Sequence, residues 1–175
     1  MCECYEAMMS GVETPLTIRR AVPGDAGALA AIFNQGVEDR VATFETGSAA
    51  EADANRWIEE ELVLVASVDG SVVAWAKAGP YSDAHSYYDG VREATLYVER
   101  GARRAGIGTA LLAALADAAA DAGAHKLVGK IFTLNEPSIA LVRGLGWLEV
   151  GVHLRHGTLD GDWKDVLVVE KLLHP

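Results

Sequence analysis

One segment of this 175-residue sequence constrains the fold more than any other. Between Glu93 and Phe132, an apolar strand-like run is followed by a basic, glycine-containing loop, a helical pattern and a second apolar run. A strand, a helix and a strand in this order predict a parallel pair joined by a crossover. Earlier in the chain, Asp69-Gly70 separates two apolar runs, and this dipeptide is a strong signal for an antiparallel hairpin. The sequence therefore predicts a sheet that mixes parallel and antiparallel pairs.

The other apolar patterns complete the predicted sheet and helices. Hydrophobic periodicity and turn residues predict the order β-α-α-β-β-β-α-β-α-β-β. The strands are expected at 17–20, 62–68, 71–78, 93–98, 126–132, 147–152 and 166–172, and the helices at 26–36, 49–61, 108–122 and 137–145. Asp25 is expected to cap the first helix, and Gly123 to end the third. We predict a leader over 1–15, expected to be disordered, and one α/β (α+β) domain over 16–175.

Composition and charge exclude several functional classes. The formal net charge is −10, and an acidic chain repels phosphate backbones, so nucleic-acid binding is not expected. No apolar run has transmembrane length and the first fifteen residues do not resemble a signal peptide, so no membrane partner is expected. The two cysteines, Cys2 and Cys4, provide no disulfide framework, which favours a cytoplasmic location. No residue set has the spacing of a metal site.

The loop before the third predicted helix reverses the acidic charge locally. Arg100, Arg103 and Arg104 cluster there, and Gly106 and Gly108 let the backbone approach a ligand closely. The first N–H groups of the helix lack intrahelical partners and lie at its positive end, and its first turns contain no acidic residue. We interpret the loop as a pyrophosphate-binding site rather than an ordinary surface loop. A Rossmann fingerprint would need a third glycine, and a P-loop would need Gly-Lys-Ser/Thr; both are absent.

These motifs resemble those of the GNAT acetyltransferase superfamily. Arg103-x-x-Gly106-x-Gly108 matches its Q/R-x-x-G-x-G/A signature, and Asn135-x-x-Ser138 with Leu145-Gly-Trp147 is similar to its second signature on the CoA side. Further segments resemble the phosphinothricin and methionine-sulfoximine N-acetyltransferases: Phe33-Asn34, Thr43-Phe-Glu45, Trp57, Tyr97-Val98 and Gly161-x-Trp163-x-Asp165-Val166. Within that group, residues 38–45, 79–83 and 151–157 look most like a branch named for arsinothricin resistance.

The resemblance implies a fold, a reaction and a cofactor site. The GNAT fold has a mixed, mostly antiparallel sheet of about six to seven strands with a V-shaped splay that holds acetyl-CoA, flanked by about four helices. The implied reaction is direct acetyl transfer in a ternary complex to the amine of a small amino-acid-like molecule. The implied cofactor-binding residues are Tyr97, Val98, Arg103, Arg104, Gly106, Ile107, Gly108, Thr109, Asn135 and Ser138. Asn135 also suits a helix cap, and relatives are commonly dimers, so a homodimer is expected.

The implied chemistry needs a base and a proton donor, because only a neutral amine attacks a thioester and a thiolate leaves. Glu93 is the candidate base, and it shares a strand face with Thr95 and Tyr97. A solvated glutamate at a strand end is the alternative. Many relatives use a tyrosine as the acid, but Val142 stands at that position. Water or a residue from elsewhere must replace it. The candidate proton donors are His153 and His156 first, then Tyr81, Tyr87 and Tyr88. An ordinary surface or hydrogen-bonding role is the alternative for each of them.

The substrate-binding loop departs from the related herbicide acetyltransferases, which place basic side chains before the central strand. Residues 80–90 contain no Lys or Arg, and Ala84 stands where an arginine is expected, beside His85. The candidate substrate-binding residues are Thr43, Phe44, Glu45, Tyr81, Tyr87 and Arg155. Core packing is the alternative role for Phe44 and Trp75. Two other functions remain open: an N-acetyltransferase acting on proteins or peptides, and a non-catalytic acetyl-CoA-binding module.

Overall fold

A mixed eight-stranded sheet with four helices on its faces forms the described part of the protein. A computed structural model describes residues 5–6, 15–81 and 86–173. The strands are β1 (Tyr5–Glu6), β2 (Leu16–Arg20), β3 (Leu62–Val68), β4 (Ser71–Pro80), β5 (Val91–Val98), β6 (Lys126–Phe132), β7 (Leu148–Leu159) and β8 (Asp162–Leu172). The helices are α1 (Ala26–Asp39), α2 (Glu51–Glu60), α3 (Ile107–Asp121) and α4 (Glu136–Gly144). The strands lie in the order β1-β2-β3-β4-β5-β6-β8-β7.

The predicted order of elements is confirmed from β2 onward. The predicted hairpin between β3 and β4 is present, and Asp69 and Gly70 have φ angles of 51° and 77°, as a type I′ turn requires. The two-residue strand β1, which pairs antiparallel with β2, was not predicted and falls within the expected leader. Cys2, Cys4 and the other residues of that leader at 1–4 and 7–14 lie outside the described residues.

The last hairpin is longer than the sequence pattern predicts. β7 and β8 extend to a turn at Asp160 and Gly161, whose φ angles are 53° and 87°. The pattern placed the strands at 147–152 and 166–172, because the intervening residues are mostly polar and their few apolar members, Leu154, Leu159 and Trp163, do not alternate regularly with them. Backbone pairing between two strands requires no apolar side chains, so such a polar ribbon escapes a hydrophobicity pattern.

Asp25 does not cap α1 through its side chain, contrary to the prediction. Its carboxylate accepts two hydrogen bonds from the Arg19 guanidinium, at 2.7 and 2.8 Å, and one from the Val22 backbone N–H at 2.8 Å. The carboxylate is buried, and a buried charge is stabilised by an opposite charge and by hydrogen bonds. The ion pair with β2 therefore takes the place of the cap. Gly123 does follow the end of α3, with a φ of 88°, as predicted.

Each face of the sheet has its own hydrophobic core. On one face, α3 packs its buried side chains, including Leu111 and Leu115, against β3, β4 and β6. On the other face, α1 and α2 enclose an aromatic cluster centred on Trp75, which stacks on Tyr97 with 5.1 Å between ring centroids. Trp75 is fully buried, so it belongs to the core. No helix in the described residues is long and apolar enough to cross a membrane.

The sheet splits between its two parallel strands. β5 pairs with β4 along its whole length, but with β6 at three positions only, 91–93 with 126–128. Beyond Glu93 and Val128 the two strands diverge, while β6 stays paired with β8 on its other edge. Among the described residues, one backbone edge of β5, from Ala94 to Val98, therefore has no neighbouring strand. This is the V-shaped splay that the sequence resemblance implies.

Candidate functional site

Two cavities of about 550 and 560 Å³ open where the sheet splits. The first, here called the splay cavity, lies between the diverging ends of β5 and β6 and is closed by residues 42–45 and by His156 and Gly157. The second, the loop cavity, lies between the end of α1, the loop before α3 and the start of α4. Six lining residues are common to both cavities: Ala42, Leu96, Tyr97, Asn135, Ser138 and Leu141. The two cavities therefore adjoin one another.

The wall of the loop cavity has the geometry of an anion site. Gly106 precedes α3 in the left-handed region, with a φ of 78°, and Arg104 has a φ of 65°. Alternation of left-handed and helical backbone turns successive N–H groups towards one concave side. The first turn of α3 contains no acidic residue, so no charge within the helix neutralises its free N–H groups and its dipole.

Two arginines of this loop are held by carboxylates of α1. Arg103 donates from Nε to the Val98 carbonyl at 3.0 Å and contacts Asp39 at 2.7 Å. Arg100 contacts the same carboxylate at 2.7 Å and Glu38 at 2.8 Å. Burial opposes ionisation of Asp39, but the hydrogen bonds from the two guanidinium groups outweigh it and lower the pKa of Asp39. These contacts fix the loop to α1, and they hold Arg103 beside the cavity.

The residues present fit the diphosphate and pantetheine arm of acetyl-CoA. At Gly108, a Cβ atom would lie 3.0 Å from the Leu141 side chain and 3.4 Å from Leu96 and Val98, so glycine lets α3 begin close against β5 and α4. The bare backbone leaves its N–H groups accessible to a diphosphate. The unpaired edge of β5 offers peptide groups of the kind that bind the amides of a pantetheine arm.

Asn135 caps α4, the structural role that its sequence position also suits. Its Oδ1 accepts a hydrogen bond from the Ser138 N–H at 3.2 Å and so caps α4, while its Nδ2 donates to the Val41 carbonyl at 3.1 Å. The second of these bonds ties the segment before Thr43 to the start of α4. Asn135 also lines both cavities. Both of its polar groups are thus engaged within the protein.

Glu93 lies where the two strands separate and faces the splay cavity. Its Oε2 accepts a hydrogen bond from Nζ of Lys130 at 2.8 Å. Lys130 was not a candidate in the sequence, and it is the single Lys or Arg among the described residues that line this cavity. Its position could have been found from the parallel register, since it follows by two residues Val128, the partner of Glu93.

Tyr97 stands at the junction of the two cavities. A Cβ atom at position 36 would lie 2.5 Å from its ring, so Gly36 makes room for it beside α1. Burial raises the pKa of Tyr97 to about 12; a hydrogen bond with Thr43 opposes this shift, and the negative charge of Glu45 adds to it. Thr43 and Glu45 line the splay cavity, so the tyrosine hydroxyl lies beside its rim.

A bulge in β7 brings His156 to the splay cavity. The register with β8 shifts between His153 and Gly157, and Arg155 within the bulge has a φ of 49°. Asp165 on β8 accepts a hydrogen bond from the Arg155 N–H at 2.7 Å and holds the bulge in place. Such bulges redirect side chains near functional sites. Asp165 lies in the motif at 161–166 and was not predicted to have this role.

Phe44 forms part of the cavity wall. Its ring packs edge-on against Phe132, with 4.6 Å between centroids, and a Cβ atom at Gly157 would lie 2.8 Å from it. Val142, at the position where related enzymes place an acid, lies in the same wall and is buried. The splay cavity thus has apolar side chains in its wall and the charged side chains of Glu45, Glu93 and Lys130.

Several predicted site residues do not line either cavity in the described structure. Ile107 is buried in the core beneath α3. The ring of His153 lies 4.6 Å from that of His156, outside the cavity. The other three, Arg155, Tyr81 and Tyr87, are exposed. The ring centroid of Tyr81 lies 6.0 Å from Nζ of Lys130. Ala84 and His85 lie outside the described residues.

Comparisons with known proteins agree with this geometry. The sequence profile of the acetyltransferase (GNAT) family matches residues 31–147. Phosphinothricin N-acetyltransferase of Streptomyces viridochromogenes is 33% identical, with 90% of this chain and 88% of that protein covered. L-methionine sulfoximine/L-methionine sulfone acetyltransferase of Pseudomonas paraeruginosa is 30% identical, with 91% and 95% covered.

Solved structures give the same result. Ribosomal-protein-alanine N-acetyltransferase from Brucella melitensis is 35% identical with a TM-score of 0.85, and the match covers 89% of this chain and 99% of that one. A phosphinothricin acetyltransferase from Sinorhizobium meliloti, solved in complex with acetyl-CoA, is 29% identical with a TM-score of 0.84, covering 90% and 88%. The similarity in sequence and fold therefore extends over most of the chain.

Proposed function

Because the chain belongs to the acetyltransferase (GNAT) family and is an acetyl-CoA-dependent enzyme, we propose that it acetylates the amine of a small amino-acid-like molecule. The proposed acceptors are of the phosphinothricin, methionine sulfoximine or arsinothricin type. The names of relatives at 33% and 30% identity support this class. Acetylation would remove the charged amine of such compounds, so a role in resistance is part of the proposal.

The adjacency of the two cavities, which share six lining residues, carries the proposal. The loop cavity has the basic residues, the glycines and the helix start that suit a diphosphate, and the splay cavity has a carboxylate at its apex. A thioester whose CoA moiety occupies the loop cavity would lie near an amine held in the splay cavity. Transfer can then be direct, and it needs no nucleophile from the protein.

Glu93 is proposed as the base. An amino-acid acceptor carries an ammonium group at neutral pH, and the carboxylate of Glu93 attracts it and takes its proton, directly or through one water. The neutral amine then attacks the thioester carbonyl, a C–N bond forms, and the C–S bond breaks. The thiolate that leaves takes up one proton, so that the products are the N-acetylated acceptor and CoA.

His156 is proposed as the donor of that proton, since it lines the splay cavity while Val142 cannot donate. His153, whose ring lies against that of His156, is proposed to support its orientation. Thr43, Phe44 and Glu45 are proposed to shape the acceptor end of the cavity, with Tyr81, Tyr87 and Arg155 at its periphery. The cofactor-binding residues implied by the sequence motifs stay a prediction: Tyr97, Val98, Arg103, Arg104, Gly106, Ile107, Gly108, Thr109, Asn135 and Ser138.

Release of free thiol from acetyl-CoA tests the proposal, with one panel of amino-acid analogues and one of peptides. We expect turnover with the first panel. Glu93→Gln should lower kcat by roughly ten- to ten-thousand-fold, the range for loss of a general base. Glu170→Gln is the matched control, because Glu170 also pairs with a β6 lysine at 2.8 Å but lies away from both cavities. Unchanged kcat in the Glu93 variant at saturating amine would refute the role.

The alternative acceptor, a protein N-terminus or a peptide, is supported by the name of the Brucella melitensis structure. Turnover with peptides alone would establish it in place of the first proposal. Binding of acetyl-CoA without turnover on any acceptor would instead favour the non-catalytic module. The cytoplasmic location expected from the sequence stays a prediction.

We further propose a homodimer. The outermost strand β7 presents four apolar side chains to solvent, each at least 47% exposed: Leu148, Val150, Val152 and Leu154. Trp163 on the adjoining strand is 60% exposed as well. A contiguous apolar surface of this kind is typical of a subunit interface. Sedimentation at micromolar concentration tests it: a monomeric mass would contradict the dimer.

A further inference from the structure

The splay cavity contains a cation that the proposed chemistry does not use. Nζ of Lys130 lies 2.8 Å from Oε2 of Glu93, and both side chains retain access to solvent, with 43% and 33% exposed. The other acidic group in the described lining is Glu45, and the other titratable side chains are His156 and Tyr97. The cavity therefore combines two carboxylate side chains with one lysine side chain.

The loop that carries basic side chains in related enzymes has no Lys or Arg between residues 80 and 90. An anionic group on an acceptor still needs a cationic partner, because the cavity wall contains apolar side chains and the two carboxylates would repel it. Lys130 is the single Lys or Arg among the described lining residues that can meet this need.

We propose that Lys130 binds the carboxylate of an amino-acid acceptor, and that the acceptor replaces the Glu93–Lys130 ion pair with two pairs of its own. This inference rests on the proposed function. The ammonium of the acceptor pairs with Glu93 and its carboxylate pairs with Lys130, so each charge keeps an opposite partner throughout. The long, flexible stem of lysine lets Nζ move aside within the cavity.

The exchange predicts selectivity for zwitterions. An amine that lacks the carboxylate pairs with Glu93 and displaces Nζ of Lys130 into solvent without giving it a new partner. An amino acid gives both Glu93 and Lys130 an opposite charge. Lys130 thus sets which amines are acetylated, and it takes no part in the bond-making step.

The test compares an amino acid with its decarboxylated analogue. KM and kcat are measured for L-methionine sulfoximine and for the corresponding amine without the carboxylate, using the wild-type enzyme, Lys130→Met and Lys130→Arg. We expect Lys130→Met to raise KM for the amino acid roughly tenfold or more, as expected for loss of a charged hydrogen bond. KM for the amine should stay unchanged or fall, since the competing cation is gone. Lys130→Arg should restore most of the preference.

Lys126→Met is the matched control, because Lys126 lies on the same strand and pairs with Glu170 at 2.8 Å, outside the cavity. It should change neither KM. Equal changes in KM for the two acceptors in Lys130→Met would refute the carboxylate contact, as would full activity towards the amino acid. Absence of wild-type turnover with both acceptors is a different result: it would refute the proposed acceptor class, and the role of Lys130 with it.

Discussion

Replacing Gly36 by alanine tests whether Tyr97 is locked at the junction of the cavities. The added Cβ would lie 2.5 and 2.7 Å from two ring carbons of Tyr97, about 1 Å inside van der Waals contact. The ring cannot move away, because Trp75 stacks on it at 5.1 Å and Phe33 packs edge-on at 5.2 Å. Overpacking of this kind costs about 1–3 kcal/mol, and a rigid partner favours the upper end.

The same change also gains helix propensity, since alanine is favoured over glycine inside a helix by about 1 kcal/mol. The net expectation for Gly36→Ala is a loss of about 2 kcal/mol in the free energy of unfolding, or a Tm lower by about 4–8 °C for a chain of this size. Gly27→Ala is the control within the same helix, because its Cβ would touch only the Glu51 side chain, at 3.8 Å. That variant should be stabilised by up to about 1 kcal/mol.

Thermal and urea unfolding followed by circular dichroism give both free energies. The Gly36 variant should also bind acetyl-CoA more weakly, because Gly36 and Tyr97 both line the loop cavity. If Gly36→Ala proved as stable as Gly27→Ala, the account of a locked ring would be wrong.

Three further predictions concern charged and titrating groups. The hydrogen bond from Arg19 outweighs burial and lowers the pKa of Asp25 below 3.8. The stabilisation of the fold by the ionised carboxylate is therefore complete above about pH 4 and is lost as pH falls through the pKa of the folded state. Asp25→Asn should lower the free energy of unfolding in urea by about 1–3 kcal/mol at pH 7, and its difference from the wild type should shrink below pH 4. Since the pKa of Tyr97 is about 12, Tyr97→Phe should not change the phenolate absorbance at pH 11, and a loss of one tyrosinate there would contradict the burial. Arg103→Ala should raise KM for acetyl-CoA about tenfold, and Asp39→Asn, which weakens the contact that holds Arg103 beside the cavity, should raise it less; an unchanged KM in Arg103→Ala would remove Arg103 from the cofactor site.

The sequence predicted the elements that depend on local patterns. The hairpin at Asp69-Gly70, the crossover through α3 and the start of α3, expected at Gly108 and found at Ile107, each follow from backbone preferences of a few residues. The family signatures then implied the splay between β5 and β6, which no local pattern contains. Along that splay, β6 stays paired with β8 over its full length but pairs with β5 at only three positions.

Contacts between distant residues could not be predicted from the sequence. The pairing of Asp25 with Arg19 displaced the expected cap, and nothing in the spacing of the two residues distinguishes these outcomes. Lys130 and Asp39 became visible only when their strand and helix were placed beside Glu93 and Arg103. The bulge that brings His156 to the cavity depends on Asp165, ten residues after Arg155, across the β7–β8 hairpin.

A crystal structure with bound acetyl-CoA tests the central claim most directly. The account predicts that the diphosphate lies within hydrogen-bond distance of the N–H groups at residues 106–109, with the pantetheine arm along the free edge of β5 and the acetyl group in the splay cavity near Glu93. A diphosphate bound away from the start of α3, or an acetyl group pointing away from the splay, would contradict it.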